Sequence, residues 1–172
     1  TENSSKVETI DDEFLAVKSA PFLGQKLPGA KAELFAPGIV SAGENELSVC
    51  MSPDGKVFYL FRTAPLYTPR FMLESRWTDD GWTKFSEVSF VDIQRGDSYH
   101  FYSPDNTRTY FQVGHQRKLS DGRVDAQDLY FVEKTEAGWG DRVRIDFGER
   151  FCGIEAYPSI SLEGELYFSA LY

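Results

Sequence analysis

The chain has 172 residues, the length of one domain. Its 27 acidic and 18 basic side chains leave a net charge of −9, which argues against the basic face of a nucleic-acid binder and against electrostatic docking on anionic lipid. Aromatic residues reach 15% and, with 14 Gly and 8 Pro, favour strands and turns over helices.

No apolar run approaches the roughly 18 residues of a membrane span, so no transmembrane segment is expected. Thr1 to Ser5 lacks a basic region followed by an apolar stretch, and no signal peptide is read there; a mature exported protein and a cytosolic one share that appearance. Asn3-Ser4-Ser5 matches a glycosylation acceptor, a tripeptide too common to carry weight. The polar stretch Thr1 to Asp12 is expected to fray, and Ile10 to Lys18 offers a turn or two of helix. Pro21, Gly24, Pro28, Gly29, Pro37 and Gly38 predict an irregular path from Pro21 to Gly43. Residues 1–45 are thus read as a tail and lead-in segment.

From Glu46 onward the chain repeats. Ser52-Pro53-Asp54-Gly55 is followed by the aromatic and β-branched run Val57 to Phe61. Ser103-Pro104-Asp105-Asn106 precedes Thr109 to Val113, and Ser161-Leu162-Glu163-Gly164 precedes Leu166 to Ser169. The three serines stand 51 and 58 residues apart. Pro fixes φ near −65°, Asp bonds its own turn backbone, and Gly or Asn accepts positive φ, so each block predicts a hairpin turn. A second motif, Asp79-Asp80-Gly81-Trp82 and Glu136-Ala137-Gly138-Trp139, runs out of phase with the first. It predicts hairpins joining Phe71–Trp77 to Thr83–Val88 and Asp128–Lys134 to Asp141–Ile145. One repeat is then four antiparallel strands, A to D, a period that reads as one propeller blade. Blade 1 spans about 46–90, blade 2 about 97–146, and a half blade 3 about 155–172.

Ser-Pro-Asp-Gly-Lys before an aromatic strand resembles the Pro-Asp-type, WD-like repeat of TolB-like β-propellers. Asp128 to Val143 resembles the C–D hairpin of that repeat in exported bacterial proteins, and Glu155 to Ser169 the A–B hairpin that follows it. The resemblance covers about 46–172. It implies an all-β propeller and a periplasmic or extracellular location. It implies no single function, since the family includes binding scaffolds, peptidase-gating domains and sugar lyases. Even four blades of about 55 residues would need more chain than this. About two and a half blades are expected here. The missing ones would come from the rest of a longer polypeptide, the preferred reading, or from other copies.

The candidate site follows from the repeat. An acid stands six residues before each turn serine: Glu46, Asp97 and Glu155. They open strand A, the innermost strand of a blade, and would gather at one mouth of the channel. Such a ring could bind a divalent cation such as calcium, or a cationic group. The preferred reading is structural, with each carboxylate capping backbone N–H groups of a neighbouring loop. His100 lies in strand A of the second blade and could join Asp97 and Glu155 in a metal or acid–base site; a structural histidine is preferred. His115 ends strand B, and a spacing of 15 from His100 fits no short metal motif.

Other chemistry is sparse. Strand alternation would put Ser98 and His100 on one face and Asp97 on the other, which spoils a catalytic triad. No Gly-x-Ser-x-Gly elbow and no Gly-rich phosphate loop occurs. Cys50 and Cys152 form no Cys-x-x-Cys pair and are expected as free thiols, Cys50 in the core. Asp121 to Asp128 lacks the ligand spacing of a calcium loop and reads as a solvated B–C loop. Trp82 and Trp139 are expected to pack between blades. The functional expectation is a non-catalytic binding module in the bacterial envelope or outside the cell, with a protein or glycan ligand. The alternative is a glycan-active lyase or hydrolase with a metal or acid site at the channel mouth.

Overall fold

The computed structural model describes residues 22–27, 29–66, 69–92, 96–118, 124–148 and 153–171, without the side chains of 115–118 and 124–126. The expectations for the N-terminal tail, Ile10 to Lys18, Cys152 and the His115 side chain lie outside these residues.

The protein is all-β. Strand β1 (Asn45–Met51) pairs with β2 (Val57–Thr63), and β2 with β3 (Arg70–Thr78), all antiparallel. On its other side β3 pairs with two short pieces, β4 (Gly81–Trp82) and β5 (Ser86–Glu87). The second sheet repeats this order. Strand β6 (Ser98–Tyr102) pairs with β7 (Arg108–Lys118) and β7 with β8 (Val124–Thr135); β8 also holds β9 (Gly138–Trp139) and β10 (Val143–Arg144). A further hairpin, β11 (Ile154–Ile160) and β12 (Leu166–Leu171), joins the second sheet through one parallel pairing, Ile154 with Gln127. Among the described residues these strands form two open sheets, and no helix is long and apolar enough to cross a membrane.

The turns fold as their local chemistry dictates. Gly55, Asn106 and Gly164 donate N–H to the carbonyls of Ser52, Ser103 and Ser161 at 2.8, 2.9 and 3.1 Å. Each serine hydroxyl accepts an N–H at the start of the next strand: from Val57 at 2.8 Å and Arg108 at 2.9 Å, which open β2 and β7, and from Glu165 at 3.2 Å, just before β12. Positive φ at Gly55 and Gly164 makes glycine the undemanding residue there. The Gly-Trp hairpins match as well. Thr78 and Thr135 donate their hydroxyls to the carbonyls of Gly81 and Gly138 at 2.8 and 3.1 Å. The expected fourth strand is present, but in two short pieces each time.

Strand β2 shows why its sequence is an unbroken apolar run: both faces are buried. Tyr59 and Phe61 face the second sheet and pack with Met72, Tyr102, Phe111 and Val113. Phe58 and Leu60 face the other way, into Leu23, Ala36, Val40 and Trp82. The lead-in segment therefore closes one face of the first sheet while the second sheet closes the other. Each fully buried large apolar side chain here stabilises the fold by about 1.5–3 kcal/mol. The two tryptophans differ accordingly. Trp82 is buried in the lead-in cluster, edge-on to Trp77 at 5.7 Å. Trp139 is half-buried against Phe90 and Tyr102.

Candidate functional site

The three A-position strands are neighbours, with β6 packed on β1 and on β11. All three carry a β-bulge: between Glu46 and Ser48, between Ser98 and Phe101, and between Ala156 and Ser159. In β6 and β11 the bulge holds a tyrosine in the left-handed region, Tyr99 at φ 50° and Tyr157 at φ 56°. A non-glycine residue there costs about 1–2 kcal/mol, which the surrounding packing must offset.

Two of the predicted acids, Asp97 and Glu46, work as stitches. Asp97, wholly buried, takes the Arg142 guanidinium on both oxygens at 3.0 and 2.9 Å and the N–H of Asp92 at 2.8 Å. Burial pushes its carboxyl above the ordinary value, against these bonds. Glu46 accepts the N–H of Ala42 at 3.2 Å and lies 3.7 Å from Arg62. Arg62 also meets Glu44 at 3.2 Å and donates to the carbonyls of Ile39 and Val40. Both acids thus cap a backbone N–H in the loop just before their strand, beside an arginine. Glu155 is buried in β11. Among the described residues no group of three or more His, Cys, Asp or Glu side chains could hold a metal ion.

His100 is buried in an aromatic box rather than at an opening. Its ring stacks on Phe111 at 5.5 Å and meets Tyr59 and Phe90 at 5.5 and 5.6 Å. Neither nitrogen has a hydrogen-bond partner among the described residues. Burial, helped by the Arg142 charge, drives its pKa down to about 3, so the ring is neutral at physiological pH. Its role is packing, and the satisfied hydrogen bonds expected of a structural histidine are missing. Cys50 is a half-buried free thiol whose pKa burial raises, the opposite of an activated nucleophile.

The bulges open a pocket of about 270 Å³ that the sequence reading did not single out. Tyr99 and Tyr157 meet edge to face at 4.6 Å on one wall, and Tyr157 keeps 56% of its surface exposed. Gln112 and Gln127 form a polar floor, joined by a 3.3 Å hydrogen bond from Gln112 Nε2 to Gln127 Oε1; Gln112 Oε1 accepts the N–H of Tyr157 at 3.3 Å. Arg70 is the charged residue of the lining, and no carboxylate pairs with it among the described residues. Burial raises the Tyr99 phenol, the Tyr157 phenol adds to the rise, and Arg70 opposes it. A signal for this site was present in the chain: Tyr99 and Tyr157 each stand four residues before a turn serine. The acids Asp97 and Glu155 stand two positions earlier in the same repeats.

A larger groove of about 550 Å³ runs between the Ser103 and Ser161 turns. Of its charges, Arg108 and Asp105 are already answered, and Lys134 acts on the Asp54 carboxylate. Arg108 pairs with Glu133 at 2.6 Å, and the Ser103 hydroxyl with the Thr107 N–H and hydroxyl holds the Asp105 carboxyl near a pKa of about 2. The smaller pocket, with strained aromatics and an unanswered cation, is the better candidate for ligand binding. Compared with known proteins, the chain matches no family model and no curated protein.

Proposed function

We propose that the chain is a non-catalytic binding module, part of a WD-like β-propeller, which takes its ligand at the pocket between the bulged strands. The observation that carries this reading is the pairing of Tyr99 and Tyr157, two tyrosines held in strained conformations at equal offsets beside one cavity. Strain of this kind persists where the surroundings impose it, and it gathers at ligand sites. The propeller reading is supported by two sheets that repeat hairpin for hairpin. It is also supported by the side-by-side packing of β1, β6 and β11, as innermost strands of successive blades would lie. On this reading the missing blades belong to the rest of the polypeptide or to other copies. A location in the bacterial envelope is proposed from the resemblance of the repeats alone.

The test is a combined glycan and peptide array probed with the wild-type chain and with a Tyr99→Ala/Tyr157→Ala variant. Retention by the wild type, loss by the variant, and recovery of the ligand unchanged support the reading. Equal retention by both proteins, no retention by the wild type, or cleavage of the retained ligand overturns it.

A further inference from the structure

We infer that the pocket binds a saccharide carrying a carboxylate, with Arg70 reading the acid and the two tyrosines holding the sugar ring. This rests on the binding-module reading and specifies its ligand. The pocket's size sets the first limit. At about 270 Å³ it falls just below the roughly 300 Å³ at which ligand clefts usually begin, so it accommodates one ring-sized group. Its chemistry sets the second. Gln112 and Gln127 are bonded to one another, and Gln112 to the Tyr157 N–H, and their planar amides keep further N–H and lone-pair capacity; the Ser98 and Thr63 hydroxyls, which donate to the Gly96 and Ala64 carbonyls, can still accept. Vicinal hydroxyls of a pyranose present the same alternation of donors and acceptors. The exposed Tyr157 ring supplies a flat face for the C–H side of such a ring.

Arg70 sets the third limit. The chain carries a net charge of −9, and acids answer Arg62, Arg76, Arg108, Arg142 and Arg144. Arg70 has no carboxylate partner among the described residues, although acids outnumber bases. A guanidinium beside a pocket is a planar fork for a carboxylate, which it binds through two parallel hydrogen bonds.

The test is calorimetric titration of the wild-type chain with D-glucuronate and D-galacturonate. D-glucose, D-galactose and a short peptide ending in a free carboxylate are the comparators. The uronates are expected to bind at least tenfold more tightly than the matching neutral sugars. Arg70→Gln, checked for folding by circular dichroism, should bring that ratio to about one. Arg70→Lys should restore part of the ratio, because it keeps the charge and loses the fork. Equal binding of acid and neutral sugars, or an unchanged ratio in Arg70→Gln, overturns the role of Arg70 and leaves the binding module standing. Binding of the peptide and no sugar overturns the saccharide class alone. Silence toward every probe overturns the inference, while the array experiment decides the binding reading independently.

Discussion

Asn106 donates its side-chain amide to Asp54 at 2.9 Å, a bond between the turn of the second repeat and the turn of the first. It gives a reason for the one repeat in which glycine is replaced. At φ 61° a glycine would be the less strained choice, but it could not reach across to the neighbouring turn. Partial burial opposes ionisation of Asp54. The bonds from Ser52, the Lys56 N–H and Asn106, with the Lys134 charge, outweigh it and hold the carboxyl below its ordinary value.

Asn106→Asp should therefore be destabilising by about 1 kcal/mol at neutral pH, the scale of two charges about 4 Å apart in water. Each carboxylate raises the other's folded pKa, so the stabilisation that wild-type Asp54 draws from its lowered pKa is reduced. The deficit against wild type should thus be absent below about pH 3 and complete by about pH 6. Asn106→Gly should stay within about 0.5 kcal/mol of wild type, because relief of strain offsets the lost bond. Urea melts of the two variants at pH 3 and pH 7 check this; a pH-independent deficit in Asn106→Asp would refute it.

A second prediction concerns the buried ion pair. Replacing Arg142 by Met leaves the Asp97 carboxylate buried and unpaired, at a cost of about 3 kcal/mol. The carboxyl already sits above its ordinary pKa, and loss of the cation lifts it further. A folded pKa above the unfolded value means that the variant loses least at low pH and most above its folded pKa. Denaturant midpoints measured from pH 4 to pH 8 should show the gap from wild type widening upward. A gap that is constant with pH would show that Asp97 is not the group left stranded.

His100 gives the opposite slope. Its folded pKa of about 3 lies below the unfolded value near 6.5, so the unfolded chain takes up a proton that the folded one refuses. Stability should fall as pH drops through about 6.5 and keep falling toward about 3. His100→Phe keeps an aromatic ring in the box and removes the titration, so the acid side of its stability profile should be flatter than that of wild type. Thermal melts in steps from pH 7 to pH 4 measure the difference, and parallel profiles would dispose of the argument.

The fourth prediction separates the matched tryptophans. Trp82→Ala should cost about 3–5 kcal/mol, since the ring is buried between the first sheet and the lead-in segment. Trp139→Ala should cost less than half of that, because its ring is only half-buried. Equal losses in denaturant melts would mean that the lead-in adds nothing to Trp82.

How much of this was readable in the chain depends on the range of the interaction. The Ser-Pro-Asp-Gly and Gly-Trp turns were legible because their bonds close within five residues, as from Val57 N–H to Ser52 Oγ. The two-sided burial of β2 was visible as an apolar run without polar alternation. The partner of Asp97 was not visible, since Arg142 lies 45 residues downstream and nothing local joins them. The bulges were hidden for the same reason: plain alternation describes a regular strand, and only packing among β1, β6 and β11 turns Tyr99 and Tyr157 into left-handed residues. Tyr99 and Tyr157 stand two residues after the acids Asp97 and Glu155, and nothing in a regular strand pattern marks them for the pocket.

The last prediction sets stability against binding at Tyr157. Glycine there removes a left-handed penalty of about 1–2 kcal/mol. It also loses the edge-to-face contact with Tyr99, worth about 0.5–1.5 kcal/mol. The ring is more than half exposed, so little buried area is forfeited. The terms nearly cancel, and Tyr157→Gly should melt within about 1 kcal/mol of wild type. Its affinity for the pocket's ligand should nevertheless fall at least tenfold, since the stacking face is gone. A purely structural tyrosine would behave the other way, losing stability while binding held. Paired melts and titrations on this one variant therefore decide whether the strain at residue 157 serves the fold or the ligand.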